Sequence, residues 1–223
     1  VKMQAGGFAQ GTTYSVVYYN EGVDLQYQVD SLLLAFDRVL STYQETSYIS
    51  KWNRNEVAVP DQPDMFKEVI SSAILVNEVT DGAFDITVAP LMSFWFERDW
   101  QTHSIDSAAV DSILQSVGMQ RIIKNDSGYW KETPNLALDV NAIAQGYSVD
   151  VVCRFLESQG IFNYLVEIGG EIRASGTKEN SESWKVGIDQ PAEGNVNREL
   201  ALSIELNNRA MATSRNYRKF VEI

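Results

Sequence analysis

What most limits the fold of this chain is the order of its two hydrophobic periods. Helical spacing dominates the first half, and short strand-like runs dominate the second. Leu25, Val29, Leu32, Leu33, Phe36, Val39 and Leu40 recur at three- and four-residue steps, one apolar stripe on a helix that runs into Ser41-Thr42-Tyr43. Phe66, Val69, Ile70, Ala73, Ile74 and Val76 predict a second helix from Asp64 to Val79, ended near Asp81-Gly82, where glycine takes a left-handed cap. Leu91–Trp100 reads as a short aromatic helix, and Asp106–Val117 as a helix capped by Asp106 and stopped by Gly118. The polar stretch from Tyr43 to Pro63 reads as irregular, because Pro60 and Pro63 bar a helix there.

Strand signals begin at Thr12–Tyr19, rich in β-branched and aromatic residues. They return at Arg121–Lys124, Tyr129–Lys131, Leu136–Val140, Tyr164–Ile168, Glu171–Ser175, Trp184–Ile188 and Glu199–Glu205, interrupted by a helix from about Ala142 to Gln159. Helices early and antiparallel strands late predict the α+β class rather than a doubly wound sheet. Residues 1–9 are Gly-containing and read as a flexible or processed end.

The charge balance removes several function classes. With 30 acids against 18 bases the net charge is −12, a field that repels nucleic acid and anionic membrane. One cysteine, Cys153, and one histidine, His103, exclude an internal disulfide and most zinc sites. A Ser-His-Asp triad would need His103, which lies in the polar run Gln101–Ser104 and reads as a surface loop residue. No apolar run reaches the roughly 18 residues of a membrane helix, and no signal peptide is read at the N-terminus.

Four segments carry possible chemistry. Thr80–Leu91 sets Asp85 among apolar neighbours, where a carboxylate serves either as a structural acceptor or as a ligand contact. Leu138–Asp150 runs from a strand into a helix whose first turn is left open by small residues at Ala142, Ala144 and Gly146. Such an N-terminus favours a phosphate, and Asp139 either caps it or binds a ligand hydroxyl or ring N–H. Gly169-Gly170 joins two strand runs and reads as a tight hairpin. Ala210–Lys219 is the most basic stretch, either an anion contact or a solvated strand edge.

Taken in order, these segments resemble the ApbE family, the FAD:protein FMN transferases. The resemblance runs from Gln10 to Phe220: Gln10–Val16, Leu40–Tyr43 with Ser47–Asn53, Asp81–Asp85, Asp139–Gly146, Gly169-Gly170 and Ala212–Ser214. It implies one ApbE-like domain over residues 10–223 with a T-fold-like α+β architecture, an antiparallel sheet with packed helices. It implies FAD contacts at Gln10, Tyr43, Ala83, Phe84, Asp85, Asp139, Gln145 and Thr213, and a Mg²⁺ ligand in the Ala142 carbonyl. The activity implied is Mg²⁺-dependent transfer of FMN from FAD to a Thr or Ser hydroxyl of an acceptor such as a redox-pump subunit, with release of AMP. The acceptor hydroxyl is the nucleophile, so no nucleophilic Ser or Cys is needed in this chain. The family further implies export to the periplasm or outer cell surface, with a lipid anchor in the precursor.

Two positions depart from the pattern: Gln10 stands where the family usually has Met, and Gln145 where it often has Lys or Glu. The sequence also stops at Ile223, before the family's His-Ile-Ile-Asp-Pro-type motif and the Asp-rich segment that supplies most Mg²⁺ ligands. The 223 residues alone are therefore expected to show little transferase activity, with homodimerisation or strand exchange covering the open sheet edge. A FAD-binding or storage protein and a FAD pyrophosphatase are the alternatives.

Overall fold

The computed structural model describes residues 1–57, 61–96, 106–189 and 200–213. The chain divides into two compact units, Val1–Leu34 with Gln145–Glu222, and Ala35–Ala144.

The first unit is built on a five-stranded antiparallel sheet. Its strands are β1 (Lys2–Ala9), β2 (Thr12–Tyr19), β5 (Tyr164–Ile168), β6 (Glu171–Ser175) and β9 (Arg209–Met211), in the order β1-β2-β5-β6-β9. The remaining strands are β3 (Ile122–Asn125) and β4 (Gly128–Lys131), a hairpin of the second unit, and β7 (Trp184–Asp189) and β8 (Leu200–Leu206), a hairpin of the first. Tyr14, Val16 and Tyr18 of β2 alternate inward with Tyr164, Val166 and Ile168 of β5. They pack against Val29 and Leu33 of helix α1 (Gln26–Leu40) and against Val149, Val152, Cys153 and Leu156 of helix α6 (Asn141–Ser158). On Trp184, Leu206, Ile172 and Ala174 a smaller core forms, with Val17, Tyr19 and Leu165 against it.

The second unit holds α2 (Tyr48–Asn53), α3 (Asp64–Val79), α4 (Ala89–Phe96) and α5 (Ser107–Leu114) beside the β3–β4 hairpin. Phe66 of α3 is fully buried and meets Tyr48 edge-on at 4.9 Å and Trp52 at 5.6 Å. The boundary between the units falls inside α1 and α6.

The expected α+β class and nearly all of the predicted elements are present. Three local readings need correction. Residues 1–9, read as flexible, form β1, which pairs with β2 at every residue from Lys2 to Ala9. Its inward positions after Met3 are Ala5, Gly7 and Ala9, too small to announce a strand, and a Cβ at Gly7 would lie 3.0 Å from the Tyr14 ring. The stretch read as irregular before Pro63 contains α2, begun by Ser47, whose Oγ accepts from the Ser50 amide at 3.1 Å. Leu136–Val140 has the alternating burial of a strand, but among the described residues its only ladder pairing is one parallel bridge between Ala137 and Val88.

Candidate functional site

In the second unit, the stretches bearing Asp85 and Asp139 run side by side. The Asp139 amide donates to the Ile86 carbonyl at 2.7 Å, next to the Val88–Ala137 bridge. Asp85 Oδ1 accepts from both the amide (2.7 Å) and the hydroxyl (2.6 Å) of its neighbour Thr87. Fully buried Thr87 in turn accepts from the Gly118 amide at 2.6 Å. Asp139 Oδ1 accepts from the Asn141 amide at 2.8 Å, an Asx turn that starts α6. Each aspartate thus commits Oδ1 to its own turn, while among the described residues Oδ2 of each takes no hydrogen bond. Both side chains are only partly buried, so these oxygens remain reachable.

The residues before Asp85 are held by the end of α3. Asn77 Nδ2 donates to the Phe84 carbonyl at 2.6 Å, and the Phe84 amide donates to Thr80 Oγ1 at 3.2 Å. Ala83 is exposed and Phe84 half-buried, a small surface beside a ring rather than a core segment. Tyr43 is 83% exposed, so packing leaves its ring on the surface. Thr42 Oγ1 donates to Asn141 Oδ1 at 3.2 Å, which ties the chain beside Tyr43 to the first turn of α6. Ala142 is exposed in that same turn.

In the first unit, two strand-connecting turns lie close to the start of α6 and to Thr213. Gln10 (φ 54°) and Gly11 (φ 72°) form the two-residue link between β1 and β2. Gly169 (φ 61°) and Gly170 (φ 105°) form the link between β5 and β6, as the sequence predicts. Gln145 of α6 lies directly over Gly169, where any Cβ would overlap its side-chain amide and come within 2.8 Å of Thr12. At Gly170 a Cβ would lie 2.9 Å from Thr213 Oγ1, which donates to the Gly170 carbonyl at 3.3 Å.

Ser148 links α6 to the turn at Gln10. Its hydroxyl lies 2.6 Å from the Gln145 carbonyl and 3.2 Å from Gln10 Oε1, both acceptors. One hydroxyl proton cannot serve both, and Gln10 Nε2 is buried without a partner. Whichever way the Gln10 amide is turned, one of its polar atoms stays unsatisfied inside the unit, a feature that a bound ligand would explain.

The structure sets Asp85 and Asp139 on adjoining stretches of the second unit, and Gln10, Gln145 and Thr213 around the turns of the first, whereas the sequence reading treats them as one set. The sequence reading misses Asn53, Asn77, Thr87 and Ser148, which shape those groups. Among the described serines and threonines, Thr87 and Ser148 are with Ser47 the most deeply buried, but their types alone carry no signal of it. His103 and most of the basic stretch, from Ser214 to Lys219, lie outside the described residues. Among the described residues no group of three or more His, Cys, Asp or Glu is placed to hold a metal ion, and no helix is long and apolar enough to cross a membrane.

Comparison with known proteins gives one consistent result. The ApbE family matches residues 10–223. The FAD:protein FMN transferase of Vibrio cholerae is 32% identical over 99% of this chain and 68% of its own length. That of Haemophilus influenzae is 33% identical over 97% of this chain and 66% of its own. The chain therefore spans about two thirds of these curated relatives. Among solved structures, the flavin transferase ApbE from Vibrio cholerae superposes with a TM-score of 0.81 at 31% identity, covering all of this chain and 75% of that one. The apo flavinyl transferase ApbE of Pseudomonas stutzeri gives 0.82 at 29% identity, covering 98% and 71%.

Proposed function

We propose, given that this chain belongs to the ApbE family, that it binds FAD and serves in transferring FMN to a hydroxyl of an acceptor protein. The observation that carries the reading is the pair of aspartates, each half-buried with one oxygen fixed in its own turn and the other without a hydrogen bond among the described residues. A carboxylate oxygen held this way suits the ring N–H groups and ribose hydroxyls of a dinucleotide, because its position is set before the ligand arrives.

The residues fit FAD. Gln10 offers a buried amide nitrogen with no partner among the described residues, and Gly169-Gly170 let Gln145 and Thr213 pack directly on the neighbouring turn of the same unit. The N-terminus of α6, 18 residues long, adds partial positive charge toward a phosphate.

In the reaction, the acceptor Thr or Ser oxygen attacks the phosphorus on the FMN side of the pyrophosphate. A new P–O ester bond forms, the bridging P–O bond breaks, and AMP leaves with the bridging oxygen. The hydroxyl proton leaves with AMP or to water. The chain's own part is to bind, orient and exclude water, since the nucleophile comes from the acceptor.

The described residues alone do not fit magnesium. Ala142 supplies one carbonyl, magnesium takes about six oxygens with carboxylates among them, and no acidic group of the required size is present among the described residues. A divalent cation such as magnesium would offset the charge of the pyrophosphate, with its remaining ligands supplied from outside the described residues. Export to the periplasm, proposed with the family, is tested by cell fractionation.

Incubating the natural-length protein with FAD, Mg²⁺ and a Thr-containing acceptor peptide tests the reading by mass spectrometry. A peptide gaining FMN, with AMP released in equal amount, is the expected result. Free FMN plus AMP without peptide labelling identifies a pyrophosphatase, and unchanged FAD that stays bound identifies a storage protein.

A further inference from the structure

The stretch Leu136–Val140 has buried alternation but almost no ladder, so something else must hold its backbone. Asn53 does. Its Oδ1 accepts from the Leu138 amide at 2.8 Å, and its Nδ2 donates to the Leu138 carbonyl at 2.9 Å. One side-chain amide thus replaces both bonds that a neighbouring strand would make. The next peptide N–H, that of Asp139, is held from the other side by the Ile86 carbonyl at 2.7 Å. The Leu138–Asp139 peptide plane is therefore fixed at its oxygen by Asn53 and at its nitrogen by Ile86, which sets the direction in which Asp139 leaves the backbone.

Asn53 is itself anchored. It is the last residue of α2, and its carbonyl accepts from Lys131 Nζ at 2.7 Å. The same ammonium lies 4.6 Å from the centre of the Trp52 ring, a cation–π contact that fixes the lysine. Elsewhere in this unit Gln62 makes the same double bond to another backbone unit, taking the Tyr129 amide at 2.8 Å and donating to its carbonyl at 2.6 Å. Gln62 thus provides an internal control, a clamp of equal chemistry on a strand that carries no proposed ligand contact.

We infer that Asn53 is a positioning residue for FAD, acting through the Leu138–Asp139 peptide to aim the Asp139 carboxylate. The inference rests on the FAD reading above. It assigns to Asn53 an effect on ligand affinity that passes through Asp139 alone.

A double-mutant cycle on the natural-length protein tests it, with FAD uptake followed by flavin fluorescence. Asn53→Ala is expected to weaken FAD binding about tenfold. In an Asp139→Ala background the same change is expected to have little further effect. Gln62→Ala is expected to lower the melting temperature and leave FAD affinity unchanged. An Asn53→Ala effect of equal size in both backgrounds, or one matched by Gln62→Ala, overturns the inference. Should the unsubstituted protein take up no FAD, the preceding reading fails, and amide exchange decides the positioning claim by itself. Faster exchange at Asp139 in Asn53→Ala but not in Gln62→Ala supports it, and unchanged exchange there overturns it.

Discussion

Replacing Gly169 with alanine separates two costs that usually occur together. Gly169 has φ 61°, a conformation that costs an L-residue about 1–2 kcal/mol. Gly160, at the end of α6, has φ 75° with open space where a Cβ would stand. Gly160→Ala therefore measures backbone strain alone, about 1 kcal/mol. At Gly169 the added methyl also meets the Gln145 amide and sits 2.8 Å from Thr12 Cγ2, closer than carbon atoms can approach without a shift. Overpacking of this kind adds about 1–3 kcal/mol. Gly169→Ala is thus expected to cost about 2–5 kcal/mol in all, and to weaken FAD uptake because Gln145 must move. Urea unfolding of both variants, followed by FAD titration, measures the two effects. Equal losses of stability in the two variants, with FAD binding unchanged in both, would refute the packing described for the Gly169 turn.

Further predictions follow from single buried groups. Burial pushes the Cys153 thiol up to about 12, so a thiol reagent at pH 8 is expected to leave it unlabelled in the native protein and to label it in urea. Burial lowers Lys131 from 10.5 to about 8. Between those values the unfolded chain holds the proton and the folded protein does not, so this group makes stability rise with pH across that window. Lys131→Met is expected to lack that rise when urea midpoints at about pH 8 and about pH 10, both inside the window, are compared with those of the parent. Phe66→Ala removes a fully buried ring in contact with Tyr48 and Trp52 and is expected to cost about 3–5 kcal/mol in thermal or urea unfolding.

Elements whose signal lies in large apolar side chains at one period were legible in the sequence. The α1 stripe and α3 are of this kind, while the Asp106 cap and the Gly169-Gly170 hairpin are marked by local cap and turn chemistry. β1 was hidden because alanine and glycine fill its inward positions, leaving room for the Tyr14 ring instead of adding apolar bulk. α2 was hidden by its length: six residues give too few turns for a period, and only Ile49 and Trp52 with the Ser47 cap mark it. Leu136–Val140 shows the opposite case, a correct burial pattern without the ladder that the pattern implies, since Asn53 stands in for the neighbouring strand. Among the site residues, Asp85 and Asp139 stood out as acids in apolar or helix-starting contexts. Nothing local marks Asn53 or Ser148, because their roles depend on partners 85 and 138 positions away.

Titrating the natural-length protein into free FAD, with the parent and an Asp85→Ala/Asp139→Ala variant measured together, is the most direct examination of the two-aspartate site. Saturable one-to-one uptake by the parent and its loss in a variant that still melts cooperatively is the outcome expected. A parent that leaves FAD free, or a variant that holds it as tightly as the parent, would contradict the assignment of these carboxylates to the flavin dinucleotide.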